Sequence, residues 1–132
     1  SAEDAKTAFM KHATSKISSK EDLFAINTLG FRGEALAAIS AVSKIKLKTK
    51  ESSSVSGFSV ILEGGKIVDE GEIGSADGTT IEVSELFYNT PARLKFVKSE
   101  QNERGVISAL IEKLAISNIN IAFIVILCSL NV

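Results

Sequence analysis

Between residues 44 and 50 the chain alternates strictly, with Lys44, Lys46, Lys48 and Lys50 interleaved with Ile45, Leu47 and Thr49. A period of two with one apolar side fits a half-buried β-strand and not a helix. Such a strand must find partners, and the following residues offer them. Gly57 to Leu62 reads as a second strand, Gly64-Gly65 as a hairpin turn, and Lys66 to Glu72 as an antiparallel return. Ser75 to Gly78 turns again, and Thr79 to Val83 reads as another strand.

Helical spacing flanks this block. Ala5, Ala8 and Phe9 recur at helical intervals within Ala2 to His12. Ala13 to Ser19 is small and polar and reads as a loop, and Glu21 to Ile26 as a short helical turn. Gly33 to Ser43 reads as a helix with Ala35, Leu36, Ile39 and Val42 on one face. Leu86 to Phe96 is irregular and holds the single proline, Pro91. Ser99 fits a helix N-cap, followed by an apolar stripe of Val106, Ile107, Leu110, Ile111 and Leu114 to about Ser117. Asn118 to Leu130 reads as a closing strand. The expected class is α+β, a mostly antiparallel sheet with helices on one face. With 132 residues, no internal repeat and no long linker, one domain with a modest core is expected.

Composition narrows the chemistry. The formal net charge is -1, so any contact with DNA needs a local basic patch or a partner subunit. Cys128 is the only cysteine and sits in an apolar run, which fits a buried thiol. One histidine, His12, and one cysteine make no zinc site. The charged stretch Ser1 to Lys20 does not read as a secretory signal. The apolar run from Ile119 to Leu130 is too short to span a bilayer, so no membrane partner is expected.

Four segments carry candidate chemistry. In Thr28-Leu-Gly-Phe-Arg-Gly-Glu-Ala-Leu36, Gly30 and Gly33 flank Phe31-Arg32 just before a helix. Glycines let backbone amides approach an anion, a helix start adds unpaired N–H groups, and Arg32 adds a permanent charge. That combination suits a polyphosphate, although short glycine-flanked junctions are common in loops without ligands. In His12-Ala-Thr-Ser-Lys-Ile17, Thr14 and Ser15 bring hydroxyls and Lys16 a cation. Asp77-Gly-Thr-Thr-Ile-Glu-Val83 reads on spacing alone as an ordinary β-hairpin, and Leu86-Phe-Tyr-Asn-Thr-Pro-Ala-Arg93 as a packed loop. Lys44, Lys46, Lys48 and Lys50 form either a solvated strand face or a stripe for DNA phosphates. No Gly-x-Gly-x-x-Gly, Gly-Lys-Ser/Thr or Gly-x-Ser-x-Gly signature occurs.

In this order, HATSKI, TLGFRGEAL, DGTTIEV and LFYNTPAR resemble the N-terminal ATPase region of the MutL family of DNA mismatch-repair proteins. That family belongs to the GHKL superfamily, with DNA gyrase B and sensor histidine kinases. The resemblance runs from about Ala5 to Ala122 and implies a GHKL-type sandwich fragment. It implies ATP-lid contacts from Thr14, Ser15 and Lys16, and phosphate contacts from Gly30, Phe31, Arg32, Gly33, Glu34, Ala35 and Leu36. Thr79 would line the pocket from the sheet, LFYNTPAR would be structural, and Arg93 would form an ion pair or help position DNA-facing loops.

The family's general base, its Mg²⁺-binding asparagine and its adenine-reading aspartate precede the HATSK segment. Residues 1–132 are therefore expected to be a partial ATPase domain comprising lid, phosphate-side helix and sheet. They would lack the catalytic segment and the following domain, hold no catalytic residue or metal ligand of their own, and be inactive alone. The resemblance further implies ATP and Mg²⁺ as cofactors of the intact protein. It implies DNA, a homo- or heterodimer formed through the N-terminal region, and a mismatch-recognition protein as partners. The expected location is cytoplasmic in a prokaryote or nuclear in a eukaryote. The apolar tail after Ile121 departs from the family's alternation. A piece of this kind is expected to expose a sheet edge and apolar core surface, and to be marginally stable. The alternative is a non-enzymatic DNA- or partner-binding fragment using the lysine row.

Overall fold

A computed structural model describes residues 2–10 and 34–126. The loop and helical turn expected between residues 13 and 26, together with Thr14, Ser15, Lys16 and Gly30 to Gly33, lie outside the described residues. So do His12, Cys128 and the end of the expected closing strand. The chain divides into two compact units, Ser1–Leu94 and Lys95–Val132.

The first unit contains helix α1 (Ala2–Thr7), helix α2 (Ala35–Ser40) and strands β1 (Lys44–Lys50), β2 (Gly57–Glu63), β3 (Lys66–Ile73) and β4 (Gly78–Ser84). Helix α3 (Pro91–Leu94) ends it. The strands form one antiparallel sheet in the order β3-β2-β1-β4. Each of the four strands expected between residues 44 and 83 is present within a residue or two of its anticipated ends.

Register explains the core. Ile45 pairs with Leu62 and Leu47 with Val60, which puts four apolar side chains on one face of the two central strands. These four are no more than 4% exposed. Ala5 and Phe9 of the first segment complete the buried cluster, with Ala8, Leu36 and Phe58 packed against it. Both helices that enter this core therefore lie on the same sheet face, the α+β layering expected. Lys6 fixes α1 further, pairing with Glu70 and standing 5.4 Å from the Phe58 ring centroid.

Two turns have opposite outcomes. Gly64 and Gly65 have φ of 57° and 81°, the double positive φ of the tight hairpin joining β2 to β3. Asp77-Gly78 does not make a hairpin: β4 pairs with β1, at the far side of the sheet from β3. Residues 74–77 must therefore cross the ends of β2 and β1. A Cβ on Gly57 would lie 3.0 Å from the Ser75 Cβ and 3.1 Å from the Thr49 carbonyl oxygen. Glycine at the start of β2 leaves room for the crossing chain.

Both early helices are shorter than their spacing suggests. Past Thr7 the bonding tightens, with Phe9 N–H to Lys6 and Met10 N–H to Thr7, so the helix closes as Phe9 turns into the core. In α2 the Ser40 hydroxyl donates to the Ala37 carbonyl and the Ser43 hydroxyl to that of Ile39, and the backbone shifts to i→i−3 bonds. Such back-bonding competes with helix continuation. The buried face is also different from the expected one. Ala37 and Ser40 are buried, whereas Ala35 is exposed and Ile39 is 38% exposed. Two small residues three apart thus take the fully buried positions, while Leu36 of the expected face is half-buried against the core.

The second unit is helix α4 (Glu100–Ser117) and the segment after it. Ser99 is its N-cap, but its side chain makes no capping bond. Instead the Glu103 carboxylate accepts the Lys98 N–H at 3.1 Å. The helix ends where the Asn118 amide donates to the Leu114 carbonyl at 2.8 Å. Residues 118–126 form turns and irregular chain rather than the expected strand. A strand needs a ladder of partners, and the described residues of this unit contain no other strand to pair with it. No described helix is long and apolar enough to cross a membrane.

Candidate functional site

Helix α2 begins immediately after the glycine-flanked loop that the sequence singles out. Glu34 is its N-cap residue, with φ −98° and ψ −11°, and makes no side-chain capping bond. The first intrahelical bond runs from the Ala38 N–H to the Glu34 carbonyl, at 2.9 Å. The amides of Ala35, Leu36 and Ala37 therefore precede the helical ladder and have no partner within it. Ala35 is exposed at this end, while Leu36 packs on the core. Of the expected phosphate contacts, Glu34, Ala35 and Leu36 are thus placed at a helix start on the covered face of the sheet. Gly30, Phe31, Arg32 and Gly33, and the lid residues Thr14, Ser15 and Lys16, fall outside the described residues.

Thr79 lies near the start of β4, opposite Thr49 in register. Their hydroxyls are hydrogen-bonded at 2.8 Å. Register places both on the face that carries Ile45 and Leu47, the same face on which Leu36 packs.

The other end of α2 is held by the Phe-Tyr-Asn-Thr segment, whose detailed role sequence reasoning did not anticipate. The Phe87 N–H donates to the Val42 carbonyl at 2.6 Å, and the Asn89 side-chain amide donates to the Ala41 carbonyl at 2.9 Å. The Gly64 N–H donates to the Ser43 carbonyl at 3.2 Å, joining the β2–β3 turn to the same junction. A Cβ on Gly64 would stand 3.1 Å from the Tyr88 hydroxyl. Glu85 and Phe87 adopt positive φ, 49° and 67°, to thread this knot. The motif was visible in the sequence, but its contacts join residues more than forty positions apart.

The lysine row projects from the opposite sheet face, where acids answer two of its members. Lys44 lies 2.9 Å from Glu85 and 3.9 Å from Glu63, and 5.6 Å from the Tyr88 ring centroid. Glu85, bonded to Lys44, raises the lysine pKa above 10.5, against a smaller opposing effect of desolvation. Lys50 pairs with Asp77 at 2.8 Å. Lys46 and Lys48 make no ion pair among the described residues. Arg93, in α3, likewise has none there, so the expected ion pair is not formed among them.

A hollow of about 380 Å³ opens beside Thr49, Lys50, Ser56, Phe58 and Glu72. Carboxylates from Glu51 and Glu72 line it, which suits a polyphosphate poorly. Among the described residues no cluster of three His, Cys, Asp or Glu side chains could hold a metal ion.

No family model matches the chain. It is 50% identical over 122 residues to the DNA mismatch repair protein MutL of Clostridium tetani, covering 92% of this chain and 20% of that protein. It is 51% identical over 120 residues to the MutL of Caldanaerobacter subterraneus, covering 91% of this chain and 20% of that protein. The chain thus spans about a fifth of the length of these curated relatives. Among solved structures it is similar to the Aquifex aeolicus MutL ATPase domain complexed with ADP. The TM-score is 0.62 and the identity 36%, over 76% of this chain and 40% of that one.

Proposed function

The chain is a MutL-type sequence with the fold of part of a MutL ATPase domain, and from that premise we propose that it supplies the phosphate-contacting side of an ATP site in DNA mismatch repair. The observation that carries this reading is identity near 50% over 92% of the chain, joined to a fold shared with an ADP-bound ATPase domain.

The proposed contacts follow from the chemistry of the residues. The amides of Ala35 and Leu36, preceded by Gly33 and Glu34, face the phosphates from the start of α2. Gly30, Phe31 and Arg32 complete that loop, with the guanidinium neutralising phosphate charge. Thr14, Ser15 and Lys16 contribute donors from the lid, and Thr79 borders the pocket from β4. The fit rests on the donor set: described amides ahead of the helical ladder, joined by the hydroxyls and cations that the sequence supplies. Bound ATP would bring a phosphoanhydride and Mg²⁺ the charge that offsets its oxygens. No residue of this chain is assigned as general base, and turnover by these residues alone is not expected.

In the wider proposal the 132 residues are a partial ATPase domain. Nucleotide binding orders the lid and drives homo- or heterodimerisation of N-terminal regions around DNA, in concert with a mismatch-recognition protein. Lys46 and Lys48, which form no ion pair among the described residues although Glu82 stands opposite Lys46 in register, support a second reading, direct contact of the β1 face with DNA phosphates.

The test is titration of a non-hydrolysable ATP analogue with Mg²⁺, followed by amide chemical shifts in this chain. A parallel calorimetric titration uses a version extended upstream with the corresponding MutL segment. Weak binding by the chain, tighter binding by the extension, and loss of at least about tenfold on Arg32→Ala are expected. Absence of binding by both would overturn the nucleotide reading and leave the DNA reading ahead.

A further inference from the structure

Helix α2 has only six residues, too few to hold a direction by its own hydrogen bonds. Its C-terminal junction, however, is gripped from outside. Asn89 reaches the Ala41 carbonyl, Phe87 the Val42 carbonyl and Gly64 the Ser43 carbonyl, three donors on three consecutive acceptors. Ala41 is the C-cap of α2 and Val42 and Ser43 follow it, so the helical ladder supplies no donor to these three carbonyls. Only one of the donors is a side chain, and therefore only Asn89 can be altered without changing the backbone. Two residues of the gripping segment hold positive φ without being glycine, a cost retained in the fold at this point.

We propose that Asn89 is a positioning residue, which sets the axis of α2 and thereby the placement of the Glu34–Leu36 amides. This rests on the nucleotide reading given above. A carboxamide is required because the acceptor is a carbonyl oxygen and the bond needs an N–H. Asn89→Asp keeps the shape and loses the donor. It also brings a negative charge to a helix C-terminus, where the dipole disfavours it.

The experiment compares the 132-residue chain with Asn89→Asp and Asn89→Gln by amide hydrogen exchange and by shift titration with the Mg²⁺-bound ATP analogue. Asn89→Asp should speed exchange at Ala38 and Ala41 about tenfold and weaken the analogue by a similar factor. The amides of Val60 and Leu62, in the buried sheet, should exchange as before, which separates a local release from general unfolding. Asn89→Gln, which retains the donor, should recover part of both effects. Unchanged exchange at Ala38 and Ala41 in Asn89→Asp would overturn the proposal. So would faster exchange with unchanged analogue affinity, while leaving the nucleotide reading intact. General unfolding of Asn89→Asp with an equally altered Asn89→Gln would also overturn it, since a specific donor would then not be the cause. If neither the unmodified chain nor its upstream-extended form responds to the analogue, the nucleotide reading and the positioning role fall together.

Discussion

Gly57 shows how one missing side chain serves a whole connection. A methyl group there would meet the Ser75 Cβ at 3.0 Å and the Thr49 carbonyl oxygen at 3.1 Å. Gly57→Ala should cost about 1–3 kcal/mol, the usual penalty for overfilling a packed position. Urea denaturation measures it, and an unchanged midpoint would mean the crossing loop yields freely. Lys44 gives a pH-dependent prediction. Glu85 beside it raises the folded-state pKa above 10.5, so the protonated lysine favours the fold. That contribution is fully present below the unfolded value and is lost as pH rises through the folded one. The stability gap between the unmodified chain and Lys44→Met should therefore be steady near about pH 9 and shrink above about pH 10.5. A gap that persists unchanged at higher pH would assign Lys44's contribution to its stem rather than its charge.

At the scale of elements, the lysine strand separates two uses of one surface. Lys44 and Lys50 are answered by Glu85 and Asp77, whereas Lys46, with Glu82 opposite it in register, and Lys48 form no ion pair among the described residues. If β1 contacts DNA, binding should weaken steeply with salt, and Lys46→Glu with Lys48→Glu should abolish it. Fluorescence anisotropy with a duplex at two salt concentrations decides this, and binding that survives the double change assigns the row to solvation. Strand β1 itself was legible from its alternation, because one buried face leaves a period-two trace. The Gly64-Gly65 turn was legible because two positive φ values select glycine. The partner of β4 was not, since Asp77-Gly78 fits a hairpin turn as well as a crossing. Only Leu36 of the expected face of α2 packs on the core, because the burial of the small Ala37 and Ser40 is a tertiary effect that hydrophobic spacing does not register. Residues 118–126 show the reverse, an apolar run with strand composition that finds no ladder.

For the whole molecule the telling feature is what the core leaves open. Ile81 and Val83 stand opposite Leu47 and Ile45 in register, and so share the core-side face. Yet they are 42% and 48% exposed. Open apolar surface beside an edge strand favours association. Ile81→Thr with Val83→Thr should reduce self-association in sedimentation velocity while changing stability by less than about 1 kcal/mol. Unaltered self-association would direct attention away from this face. Of the candidate site, the order of motifs was legible in the sequence. The grip of Phe87 and Asn89 on α2 was not, because it depends on how distant segments meet.

The crossing between β3 and β4 sets a limit on how the chain's length can vary. With the order β3-β2-β1-β4, residues 74–77 bridge three strand spacings, about 14 Å. From Ile73 to Gly78 a fully extended chain reaches only about 17–18 Å. Insertions here can bulge into solvent at little cost, whereas loss of two residues leaves a reach of about 10–11 Å, too short to cross. Length variation at this connection is one-sided: the loop can grow, but it cannot shrink by two residues without detaching β4 from β1.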